Sequence, residues 1–187
     1  MFGAKKIAAL LFLAVLLVSG VTEAAPGDPV KPVPDTMKFE KGEIKLGDDI
    51  KKAYEVLGPP TYITYGGENY VWRYGIHDQY APAVIIATMG GKKIISIATD
   101  RWAAATTPDN IGPGIELQRV IDTYGEGRRY MDNMRTGYYV GRIIVLNYAY
   151  TDKTKEAKKK FPRMRIEVAE KEGRVMYLRI SDRQKSV

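Results

Sequence analysis

Cysteine is absent and histidine occurs once, at His77, in a chain of 187 residues. Without cysteine there is no disulfide scaffold, thiolate nucleophile, iron–sulfur cluster, thiolate zinc site or cysteine-linked lipid anchor. One histidine excludes multi-histidine metal sites. Long apolar runs are also scarce. Ile7 to Val18 falls short of the roughly 18–20 residues a spanning helix needs, and later runs such as Ile143 to Leu146 are strand-length. No Gly-x-Ser-x-Gly elbow, phosphate loop or metal motif appears. His77 and Asp78 are adjacent, but neighbours in an extended chain point apart, and no nucleophile can be assigned to them. Asp48 and Asp49 stand where a helix begins, and the helix dipole favours acidic residues there. These absences give the reading of a protein that is not an enzyme, with no cofactor and no metal.

What is present begins with an export pattern. Lys5 and Lys6 precede the apolar run, and Thr22 and Ala24 supply small residues for cleavage. Residues 1–24 read as a secretory signal peptide. The expected location is therefore secreted or periplasmic, at the cell envelope, with no transmembrane anchor after cleavage. The chain carries a formal net charge of +7, and residues 151–187 hold 12 Lys and Arg against 6 Asp and Glu. The densest run is Lys153 to Lys160. It is either a solvated segment or a contact for an acidic partner. That partner would be an acidic protein surface or an anionic envelope polymer. Nucleic acid does not suit an exported chain.

Pro26, Pro29, Pro32 and Pro34 make residues 25–43 read as an extended tether, with the first folded element expected near Ile44. From there the chain repeats itself at a shift of 67. Ile44 falls on Ile111, Gly47 on Gly114 and Gly58 on Gly125. Ile50, Ala53, Tyr54 and Leu57 share the spacing of Leu117, Val120, Ile121 and Tyr124, one helical stripe in each case. Helices are expected over 48–57, capped by Asp48, and over 114–124. Glycines at 58 and 125 should stop them. Strand signals follow each helix: 70–74, 83–89 and 93–99, then 142–150, 163–169 and 175–180. Gly90-Gly91 suits a hairpin turn. The class expected is α+β: two tandem repeats, 44–102 and 111–183. Each is a helix, or helix pair, on one face of an antiparallel sheet of three or four strands. Residues 103–110 connect the repeats and 184–187 form a tail.

Leu46-Gly47-Asp48-Asp49-Ile50, Leu57-Gly58-Pro59-Pro60, Trp72-Arg73-Tyr74 and the Gly-Gly hairpin together resemble the repeat of the SmpA/OmlA family, which includes outer-membrane assembly lipoproteins. Two such units in tandem are similar to the beta-lactamase inhibitor protein (BLIP) fold. The second copy has Gly125-Glu126-Gly127 and Leu146-Asn147-Tyr148 at the matching places. The resemblance implies a non-catalytic module that binds another protein.

Alternation assigns the two sheet faces. Tyr70, Trp72 and Tyr74 share one face. They are either a stacking platform for sugar or the core under the helix, and matching Ile144 and Leu146 favours the core. The core face continues through Tyr148, Met164, Ile166, Val168, Met176, Leu178 and Ile180. The opposite face carries Arg73, Asn147, Arg165, Glu167, Tyr177 and Arg179, with Val145, Arg163 and Val175. It is either solvated or a contact surface, since Arg and Tyr concentrate at interface centres. Tyr62 and Tyr65, and Tyr130, Tyr138 and Tyr139, are expected in loops as lids or recognition anchors. The function expected is a secreted, non-catalytic protein-binding module, inhibitor-like or an envelope-assembly accessory. It would use the open face and aromatic loops. The alternative is binding of anionic envelope polymer through the basic C-terminal third.

Overall fold

Past Pro34 the chain alternates Met37 and Phe39 with polar neighbours, the pattern of a half-buried strand. In the computed structural model, which describes residues 27–75, 82–135, 140–150 and 161–182, a hairpin forms there. It pairs β1 (Thr36–Phe39) with β2 (Gly42–Lys45). Met37, Phe39 and Ile44 enter the core, and Val33 joins them from the proline-rich stretch. The folded part thus starts well before Ile44, and the expected tether is largely packed. The signal-like residues 1–24, the basic run Lys153–Lys160, His77 and the tail 184–187 lie outside the described residues.

The remaining elements run α1 (Lys51–Leu57), β3 (Tyr62–Gly66), β4 (Asn69–Tyr74), β5 (Ala83–Thr88) and β6 (Ile94–Asp100). Then come α2 (Leu117–Tyr124), β7 (Arg128–Arg135), β8 (Val140–Tyr148), β9 (Arg163–Ala169) and β10 (Val175–Ser181). Strands β3 to β10 form one antiparallel sheet in the order β3-β4-β5-β6-β10-β9-β8-β7. This corrects the expected α+β class of two helix-on-sheet repeats. The chain is mostly β, with two short helices among the described residues, and its strands build a single eight-stranded sheet. The physical reason is edge chemistry. Separate sheets would leave β6 and β10 each with a row of unpaired backbone groups. Their pairing satisfies both rows and sets Ile97 opposite Ile180, neither exposed.

The sequence correspondence at a shift of 67 marks backbone contacts at the helix starts. Gly47 and Ile50 donate N–H groups to Ile94 and Lys92, both at 2.8 Å. Gly114 and Leu117 donate to Val175 and Gly173, both at 2.7 Å. Bridges Asp49↔Lys93 and Glu116↔Arg174 continue the match. The helices are shorter than expected because these contacts hold the preceding segments extended or in turns. The Asp48 carboxylate accepts from Lys45 N–H at 2.8 Å and so closes a turn, while Asp49 accepts from Lys51 N–H at 3.0 Å. Gly58 and Gly125 do end the helices, at φ +80° and +85°, where glycine avoids the Cβ clash. Tyr54 leaves the expected stripe and is 54% exposed, its place taken by the buried Val56.

Both helices bury their apolar residues in one core cluster on one sheet face. Ala83, Ile85, Ile144, Leu146, Met164, Ile166, Leu178 and Ile180 line it, and Tyr70, Trp72 and Tyr74 pack against it half-buried. The aromatic strand thus faces the core. Met176 does not: the register shifts between Val175 and Tyr177, so Val175 points into the core and Met176 is the extra residue of a bulge. A second bulge, at Ile95, shifts β6 against β5. The segments holding Tyr62, Tyr65 and Tyr130 are strands, not loops: β3 and β7 form the two edges.

One sheet implies one cooperative unit. Denaturant unfolding followed by tryptophan fluorescence and by circular dichroism should give coincident single transitions. Ile97→Ala and Ile180→Ala should each cost about 2–5 kcal/mol, with the double variant departing from additivity because the two residues touch. Two separated transitions would refute the continuous sheet.

Candidate functional site

On the face away from the helices, register lines up one residue per strand. The row runs Tyr62, Arg73, Val84, Ala98, Arg179, Arg165, Asn147, Arg128, from one edge to the other. A neighbouring row runs Asp100, Tyr177, Glu167, Val145, Tyr130. Strand alternation puts both rows on one side. By the same alternation Arg73, Arg128, Arg163, Arg165 and Arg179 share this side with the strand carboxylates Asp100, Asp132 and Glu167; Asp28 lies 3.8 Å from Arg128, and the face keeps an excess of arginine.

Its centre is held in place. Arg165 Nε donates to Glu167 at 2.8 Å, and Arg165 Nη1 donates to the Tyr130 hydroxyl at 2.7 Å. The same guanidinium lies 5.9 Å from the Tyr130 ring centre, within cation–π range. Burial alone would lower the Arg165 pKa; the hydrogen bond and charge of Glu167, with the Tyr130 contact, outweigh it, and the pKa is raised. Glu167 is only 8% exposed. Arg179 Nε donates to the buried Ser96 hydroxyl at 2.9 Å. Burial pushes the Tyr177 hydroxyl up to about 12; Arg179 and Arg165 oppose the shift while Glu167 and Asp100 add to it.

Of the expected contact residues, Arg73, Asn147, Arg165, Glu167, Tyr177, Arg179, Tyr62 and Tyr130 therefore share one face. Tyr65 does not: it pairs with Tyr70, in the phase of the core face, with ring centres 5.7 Å apart. Tyr138 and Tyr139 lie outside the described residues. Ser96, Asp100 and Arg128 escaped the sequence reading. Ser96 was hidden by the bulge beside it, and Arg128 by the reading of β7 as a loop. Among the described residues, no group of three His, Asp or Glu side chains is placed to hold a metal ion. The chain matches no protein-family model, and comparison with curated proteins gives no match.

Arg165 is part of the fold as well as of the surface. Arg165→Ala should destabilise the protein by about 1–3 kcal/mol, because it leaves the Glu167 carboxylate buried without this partner. Glu167→Gln in the same chain should recover part of that loss in chemical denaturation. Equal stability of Arg165→Ala and the parent would contradict the pairing.

Tyr177 gives a pH test. An unfolded tyrosine ionises near 10, the folded one at about 12. The fold favours the neutral hydroxyl, so its contribution is complete below pH 10 and is lost as pH rises through 12. Between those values the parent should lose stability relative to Tyr177→Phe by at most about 1.4 kcal/mol per pH unit. Parallel stability curves for the two proteins would overturn the assignment.

Proposed function

We propose that this chain acts by binding a second protein on the basic face of the sheet, without catalysing a reaction. The observation that supports it best is the cross-strand row from Tyr62 to Arg128, which sets arginines of four strands and an edge tyrosine in one line. Arginine and tyrosine are the side chains that concentrate at interface centres. Arg165 is already fixed by Glu167 and Tyr130, so a partner meets it with little ordering cost. An excess of arginine over carboxylate suits an acidic partner surface. Read together with the export pattern of residues 1–24, the partner belongs to the cell envelope or the exterior. Such binding would suit an inhibitor-like or assembly-accessory role.

The test is recovery of bound protein from an envelope fraction by the mature chain and its variants. Tyr130 is 41% exposed, so Tyr130→Ala should leave the chain folded, with a small drop in melting temperature from the lost Arg165 contact. It should weaken binding by about 1–2 kcal/mol if Tyr130 is an anchor. Binding unchanged by both Tyr130→Ala and Arg179→Ala would refute this reading. Binding that falls steeply with salt and disappears when Lys158, Lys159 and Lys160 are neutralised would instead favour the anionic polymer.

A further inference from the structure

The two edges of the sheet differ in chemistry. β7 reads Arg-Arg-Tyr-Met-Asp-Asn-Met-Arg and carries charge along its length, a common guard against unwanted strand pairing. β3 reads Tyr-Ile-Thr-Tyr-Gly and carries none. Its register shows which backbone groups it offers. Gly66↔Asn69 closes a two-residue turn in which Gly67 has φ +59°, as a type II′ hairpin requires. Closing pairs of this kind are hydrogen-bonded, and bonded pairs then recur at every second residue. Thr64/Val71 and Tyr62/Arg73 are therefore the bonded pairs. The N–H and C=O groups of Ile63 and Tyr65 point away from β4, and no described strand lies beyond them.

The side chains of those same two residues are 50% and 69% exposed. With Ile50, Tyr70, Trp72 and Lys92 they line an apolar groove of about 160 Å³. Cations stand on both sides of the edge. Lys92 is in the groove, and on the opposite face Arg73 donates a hydrogen bond to the Thr64 hydroxyl.

We propose that the β3 edge is a strand-addition site for an extended partner segment that alternates apolar and acidic residues. Alternate side chains of an added strand point to opposite sides. Its apolar set would fill the groove while its acidic set meets Arg73. The outward groups of Ile63 and Tyr65 would supply the ladder hydrogen bonds, the mode of β-augmentation. A second copy of this chain fits less well. Pairing β3 with itself about Thr64 would bring two Arg73 guanidinium groups together, and the chain already carries +7. The site shares Tyr62 and Arg73 with the basic face, but its outward backbone groups belong to Ile63 and Tyr65, so either reading can fail without the other.

The test uses the mature chain and two short blocked peptides, one alternating valine with glutamate, the other valine with lysine. Saturation with the glutamate peptide should slow amide exchange at Ile63 and Tyr65. The lysine peptide should bind about tenfold more weakly or worse, and Arg73→Glu should narrow that gap. Ile63→Pro removes an outward N–H and leaves the bonded pairs of Tyr62 and Thr64 in place, so it should abolish the protection. The proposal is overturned by any of four results. These are no saturable binding of the glutamate peptide, equal binding of the two peptides, protection at β7 in place of β3, or Ile63 and Tyr65 amides already protected in a free chain of dimeric mass.

Discussion

The ladder between β6 and β10 is the interaction on which the rest of the structure depends. Five residue pairs, from Tyr177↔Asp100 to Ser181↔Ser96, join strands that lie far apart in the chain. On one side of that seam Ile97 and Ile180 meet in the core. On the other, Arg179 reaches across it to Ser96. One row of hydrogen bonds thus unites the hydrophobic cluster and makes the basic face continuous. Opening it would expose two unpaired strand edges and divide both surfaces at once.

The two faces follow from period-two alternation, but the bulges decide their details. Had β10 run without its irregularity, Met176 would lie in the core and Val175 outside. The extra residue lets Val175 turn inward to meet Val168, while Tyr177 and Arg179 stay with Glu167 and Arg165. The same device at Ile95 keeps Ile94 and Ile97 inside and brings Ser96 under Arg179. Bulges are local, yet each sets which side chains form the surface beyond it.

Much of the local structure was legible in the sequence. The strands at 163–169 and 175–180 and the glycine stops at 58 and 125 follow from alternation and backbone freedom. The core phase of Tyr70, Trp72 and Tyr74 follows in the same way. The sheet as a whole was not legible, because periodicity says which face a strand buries but not which strand lies beside it. The pairing of β6 with β10 rests on contacts about 80 residues apart in sequence. The edge strands were missed for another reason. Tyr62 to Gly66 is short and sits between Pro59-Pro60 and Gly66-Gly67, and Arg128 to Arg135 is as polar as a loop. The candidate face was mostly legible. Tyr65 was misplaced because treating its segment as a loop ignored the alternation that turns Tyr62 and Tyr65 to opposite sides.

The position of β10 has a consequence for how the sheet is made. It is the last strand in chain order and yet lies in the middle of the sheet, between β6 and β9. As the chain emerges, the strands of the first half can pair early, but β6 keeps an open edge until Val175–Ser181 arrives. Joining the halves is therefore a late, long-range step, which slows folding and lengthens the exposure of a strand edge. A premature stop before Val175 would remove the central strand and leave open edges on either side of the gap. For a chain read as exported, that interval is a window in which a chaperone that holds strands extended has an edge to guard.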